Sequence, residues 1–166
     1  AERVLNYLSK QTTTLEGYKI TRLEHSLQAA TRAFKNKESD EMVVATLLHD
    51  IGDDLAPMNH SQYAASILRP YVSERTYWIV LHHGLFQTYY SAHHLGGDRN
   101  ARDKFKDHKY YQDTIDFCEK YDQCSFDPNY KSMTLDDFKP LVKKIFAKEP
   151  YLSLIHISEP TRRAII

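Results

Sequence analysis

His25, His49, Asp50, His60, one of His82 and His83, and Asp122 are residues of the types that hold metal ions, and they recur along successive segments of the chain. Helical proteins assemble metal sites from ligands on different helices that project into a shared interior. Imidazole and carboxylate donors together suit iron, manganese, zinc and other first-row metals, and affinity alone does not choose among them. Taken singly, each histidine has an ordinary explanation as a core or surface residue; it is their order along the chain that points to a metal. The stretch VATLLHDIGDDLAP, Val44 to Pro57, is the most telling. Val43, Val44, Leu47, Leu48 and Ile51 recur near helical spacing, so the adjacent His49 and Asp50 lie at the end of a buried helix, where core meets pocket.

The elements that must position these residues are helical. Arg22 to Lys35 places Leu23, Leu27, Ala30 and Phe34 on one face, and Asp40 to Ile51 follows with Ser39 as its cap. A third helix fits His60 to Leu68, ending before Pro70, and a fourth fits Ser73 to about Tyr90. The polar stretch HHLGGDRNAR, His93 to Arg102, is a loop broken by its two glycines. A fifth helix fits Tyr110 to Cys124, with Ile115, Cys118 and Tyr121 or Asp122 turned to one side. The last fits Leu135 to Ala147, opened by the pattern Thr134-x-x-Asp137. The sequence therefore predicts an all-α single domain without internal repeats.

At 166 residues with formal charge zero and interspersed acids and bases, the chain carries no electrostatic footprint for nucleic acid or an anionic membrane, and a small-molecule substrate is the expected partner. Cys118 and Cys124 make no disulfide framework, and a reducing, cytoplasmic setting is expected. The chain opens on AERVLNYLSK without an initiator methionine, so a truncated N-terminus is expected. LSLIHISEPTR, Leu152 to Arg162, resembles an in-frame translation of a transposase-type sequencing adapter. Residues 1–151 are expected to form the domain, and 152–166 a non-native tail that removes His156 from the candidate ligands.

The order His25, His49-Asp50, Asp122 resembles the H…HD…D signature of the HD superfamily of metal-dependent enzymes. RLEHSLQAA and LLHDIGD resemble that superfamily's first two motifs and EKYDQ its last. The resemblance spans about Tyr18 to Asp127 and implies a helical bundle around the metal. It implies that His25, His49, Asp50 and Asp122 hold one metal, and that two further histidines, His60 and one of His82 and His83, mark a dinuclear centre. Asp50 would then bridge the two ions. His82 is preferred over His83 because the ligand in related proteins tends to follow an aliphatic stretch directly, as in WIVLH.

Two chemistries run on this scaffold. The superfamily's phosphohydrolases and phosphodiesterases activate a water and clamp a phosphate oxygen with metals such as manganese, cobalt or zinc. The oxygenase branch, which includes myo-inositol oxygenase and the phosphonate-cleaving oxygenases, uses two irons and dioxygen. GYKITRLEHSLQAATRAF with LLHDIGD resembles the oxygenase branch more, so di-iron oxidation of a small hydroxylated substrate is favoured over phosphate-ester hydrolysis. A degenerate binding module is a third reading, opposed by the presence of all six candidate ligands. The phosphonate enzymes' lysine one turn after the fourth histidine is Phe86 here, their arginine before the last aspartate is Glu119, and their early tyrosine aligns with Leu15, with Tyr18 nearby; the phosphonate substrate is therefore not carried over. Arg22 and Asp53, each one turn from a ligand, are expected to face the site, and Tyr18, Tyr89, His93, His94 and Arg99 to form pocket walls or a lid.

Overall fold

Local capping chemistry sets most helix starts. In the computed structural model, which describes residues 1–15 and 17–150, Thr21 and Glu24 form a reciprocal capping box at the start of α2 (Arg22–Lys35). Ser39 caps α3 (Asp40–Leu48), Ser73 caps α5 (Glu74–Ser91), and Thr134 with Asp137 repeats the capping box at α7 (Leu135–Phe146). The remaining helices are α1 (Glu2–Leu8), α4 (His60–Leu68) and α6 (Tyr111–Phe117). Among the described residues there is no strand beyond a single bridge between Thr14 and Thr21. None of their helices is long and apolar enough to cross a membrane. The tail expected at 152–166 lies outside the described residues.

Helix α3 is buried on every side from Met42 to Leu48, as befits a helix with apolar residues all round. It is the axis of the bundle: α2, α5 and α7 all pack against it, while α4 lies along α5. The inward face of α2 differs from the expected one. His25, Ala29, Ala30 and Ala33 are buried, whereas Leu23 and Leu27 are half-buried and Phe34 is 47 % exposed. Short side chains let α2 lie close to α3, and that proximity carries the His25 ring into the interior.

Two other elements depart from the simple reading. Helix α3 stops at Leu48, not Ile51, and His49 to Leu55 run through successive turns. The fifth predicted helix becomes α6 followed by a π turn over Cys118–Asp122, in which the Gln123 amide donates to the Cys118 carbonyl five residues back, at 2.8 Å. The wider turn lets the consecutive Tyr121 and Asp122 both be buried, and π turns of this kind concentrate at functional sites.

Gly52, which follows the His49-Asp50 turn, is required by packing. A Cβ there would lie 2.8 Å from the Tyr63 Cβ on α4, an atom that cannot swing away. Gly52→Ala is therefore expected to destabilise the fold by about 1–3 kcal/mol through overpacking, lowering Tm by roughly 2–12 °C in a thermal melt. An unchanged Tm would show that α4 yields freely at this contact.

Candidate metal centre

Four histidines are oriented by the same device. The Nδ1–H groups donate to backbone carbonyls, His25 to Ser125 at 2.9 Å, His49 to Thr46 at 2.7 Å, His60 to Pro57 at 3.0 Å and His83 to Val80 at 2.7 Å. A carbonyl only accepts, so each neutral ring carries its proton on Nδ1 and turns a bare Nε2 lone pair inward. These inward atoms converge on Asp50. Its Oδ2 lies 3.4 Å from the Nε2 of both His25 and His49, and its Oδ1 lies 3.1 Å from His83 Nε2 and 3.5 Å from His60 Nε2. Asp122 closes the first group from the π turn, with Oδ1 3.4 Å from His25 Nε2 and 3.7 Å from His49 Nε2.

The chemistry of this donor set fits metal ions. The Nε2 atoms of His25 and His49 face each other at 3.2 Å, and with both protons on Nδ1 neither can donate to the other. Two such lone pairs repel unless a proton or a metal cation lies between them, and a metal with bonds of about 2.0–2.1 Å to each nitrogen spans such a gap. His25, His49 and Asp122 form one group of donors close enough to hold an ion, and His49, Asp50 and His83 form another.

Protonation in the metal-free cluster carries the same message. Burial alone would lower the His25 pKa, but hydrogen bonds with Asp122 and Asp50 outweigh it and hold the ring up at about 10. Burial likewise opposes charge on His49, and the neighbouring Asp50 and Asp122 carboxylates overcome it and raise its pKa. Burial would raise both carboxylates, yet the charge of His49 with hydrogen bonds from His25 and His83 holds Asp50 well below the usual range. Hydrogen bonds from His25 and His49 depress Asp122 likewise. A bound cation takes over the role of those imidazole protons and displaces them.

A family model for the HD domain matches residues 22–120. The chain belongs to the HD-domain family. A search of curated proteins finds no match. The matched span contains His25, His49, Asp50, His60 and both His82 and His83, and stops short of Asp122, which the π turn returns to the cluster. This HD domain is thus of a kind typical of metal-dependent enzymes, with donors in place that could hold metal.

The structure corrects the preference for His82. His83 is the buried ring against Asp50, whereas His82 stacks on Trp78 at 4.0 Å, meets Phe105 edge-on at 4.7 Å and faces away from the cluster. One residue along a helix is a rotation of about 100°, so only one of the pair can reach Asp50. The position one turn after the histidine accordingly moves from Phe86, which is buried in the core, to Gln87, which lines the cavity beside Asp50.

The other expected pocket residues are mostly elsewhere in this HD domain. Arg22 Nε donates to Asp53 Oδ2 at 2.6 Å and lies 3.1 Å from Asp54, so Arg22 and Asp53 neutralise each other and clamp the start of α2 to the turn after α3. Neither lines the cavity. Tyr18 does lie beside the site, stacked on Phe126 at 4.2 Å, and Phe126 in turn stacks on the His25 ring at 4.5 Å. Tyr89 is covered by the guanidinium groups of Arg99 at 4.1 Å and Arg102 at 3.7 Å, while His93 and His94 pack on each other at the surface. None of Tyr89, His93, His94 and Arg99 lines the cavity, so the expected lid is not formed by them. Sequence reading missed Phe126, Gln87, Thr88 and Ser91; of these, only the three on α5 carried a signal, lying near one face with His83.

Proposed function

We propose that this HD domain holds two metal ions, with iron as the metal, and oxidises a small hydroxylated substrate with dioxygen as oxidant. The observation that carries this reading is the cavity beside Asp50. It encloses about 180 Å³, and beyond the metal donors its polar lining among the described residues is Gln87, Thr88 and Ser91, with no lysine or arginine among them. Amide and hydroxyl groups suit a neutral polyol-like molecule, whereas a phosphate ester would find no cation there besides the metals.

The division of Asp50 between two histidine pairs supports two ions. His25, His49, Asp122 and Asp50 Oδ2 would hold one, and His60, His83 and Asp50 Oδ1 the other. The second set is two histidines and one carboxylate, the donor pattern of non-haem iron oxygenases with open positions. When bound, the metals supply redox capacity and coordination positions for substrate and dioxygen. The chain's own groups do the rest. Gln87 donates through Nε2 to Gln123 Oε1 at 2.6 Å, which fixes the amide with its own buried Oε1 unpartnered, free to accept a substrate hydroxyl proton. The Thr88 hydroxyl donates to Leu85 O at 2.7 Å and keeps its lone pairs for the cavity. Phe126 and Tyr18 stacked over His25 shield that side from water.

Protein expressed in iron-supplemented medium tests the reading by elemental analysis, electron paramagnetic resonance and dioxygen consumption with a polyol panel. Two irons per chain, a coupled mixed-valent signal on partial reduction and polyol-dependent oxygen uptake are expected. Anaerobic turnover of phosphate esters with manganese or cobalt, without oxygen uptake, would assign the domain to hydrolysis instead.

A further inference from the structure

On the side of α5 that carries His82, a second cavity of about 600 Å³ adjoins the first and shares His60, Gly84 and Thr88 as walls. Its lining differs in kind. Leu81, Leu85 and Phe105 supply an apolar floor, and Met58, 96 % exposed, stands at its edge. A flexible thioether without burial of its own is the side chain best able to mould itself to an apolar ligand. Helices α4 and α5 touch at Gly84, where a Cβ would lie 2.5 Å from Ser61 Oγ and 3.3 Å from His60 Nε2, so the cavities adjoin along the Thr88 side of that contact.

Asn59, Ser61 and Gln62 line the α4 side of this groove, and His82 and Lys104 its other polar wall. His82 donates from Nδ1 to the Trp78 carbonyl at 2.9 Å, so its neutral Nε2 is an acceptor. Lys104 lines the groove with its ammonium 5.1 Å from the Phe105 ring centroid, and among the described residues no carboxylate lies within ion-pair distance of it. A single unpaired ammonium beside an apolar floor matches a monoanionic end group on an apolar chain.

We propose that this groove is a second compartment of the substrate site, which takes the aliphatic chain of a hydroxylated substrate and pairs its terminal carboxylate with Lys104. The inference rests on the hydroxylated-substrate reading of the metal cavity and extends it from small polyols to amphipathic hydroxy acids. The hydroxyl end sits by Gln87, the chain passes Thr88 onto Leu81, Leu85 and Phe105, and the carboxylate meets the ammonium in a charge-assisted contact.

The test uses zinc-loaded protein labelled at its methionine methyls and titrated with ω-hydroxy acids of four, six and ten carbons, with hexanediol as the uncharged control. The Met58 methyl resonance is expected to shift on titration, while that of buried Met42 stays fixed. Affinity should rise about threefold for each methylene that reaches the apolar floor. Lys104→Ala should weaken the six- and ten-carbon acids about threefold and Lys104→Glu about fivefold or more, the scale of an exposed ion pair, while changing hexanediol less than twofold. A stationary Met58 signal, affinity independent of chain length, or equal losses for acid and diol would overturn the proposal. Zinc content measured on the same sample separates the two readings. Absent zinc counts against the metal centre, whereas loaded protein with a silent Met58 counts against the groove alone.

Discussion

On the two-ion reading proposed above, Asp50→Ala is expected to abolish binding at the second position, to weaken the first, which keeps His25, His49 and Asp122, and to lower activity by more than about 10³-fold, beyond the 10²–10³ typical of deleting one electrostatic partner. The expectation follows from how its carboxylate is shared. Oδ2 faces His25 and His49, both at 3.4 Å, and Oδ1 faces His83 at 3.1 Å and His60 at 3.5 Å. Without it the second position keeps only two imidazoles, and the first loses one of its two carboxylate charges. His60→Ala removes a single donor from one position and should cost mainly one ion. Asp50→Asn keeps the shape and one acceptor oxygen, so it should retain at most one ion, which separates loss of the bridge from loss of the fold. Elemental analysis after dialysis, with circular dichroism as the folding control, reads all three variants. Two ions retained by Asp50→Ala would sink the bridging assignment.

Much of this arrangement was legible because its signals are local. Ser39, Ser73 and Thr134 cap helices within one residue of where the sequence places them, and α4 runs from His60 to Leu68, ending before Pro70 as expected. The adjacency of His49 and Asp50 after an apolar helix was likewise readable, and the structure brings both into the cluster. What could not be read depends on distant partners or on departures from ideal helix geometry. Arg22 and Asp53 obey the one-turn spacing that would aim them at the site, yet they are committed to each other across 31 residues. The π turn that buries Asp122 breaks the 3.6-residue periodicity on which the fifth helix was read. The proposed lid fails for a similar reason. Tyr89 finds its neighbours in Arg99 and Arg102, and nothing in the spacing of the loop foretells that clamp.

His83→Ala is expected to lose the second metal ion, with affinity at that position reduced by more than about 100-fold, while His82→Ala keeps both. The rings are adjacent in sequence and helix α5 is apolar on both of their faces, which is why periodicity left the pair unresolved. Thr76, Ile79, Val80, His83 and Phe86 form the stripe that faces the interior, whereas Trp78, Leu81, His82 and Leu85 form another that turns toward the short helical turn Ala101–Phe105. The aliphatic residues before His82 therefore belong partly to each stripe and cannot choose between the two rings. Burial can: His83 is 1 % exposed with Nε2 on Asp50, while the His82 ring lies between Trp78 and Phe105. Loss of His82 should cost about 0.5–1.5 kcal/mol of aromatic contact, a shift of a few degrees in Tm with metal content unchanged. The reverse pattern, metal lost from His82→Ala and kept by His83→Ala, would mean that α5 is rotated by one residue relative to Asp50. It would also remove His82 from the groove and leave Lys104 as the cationic group in its lining.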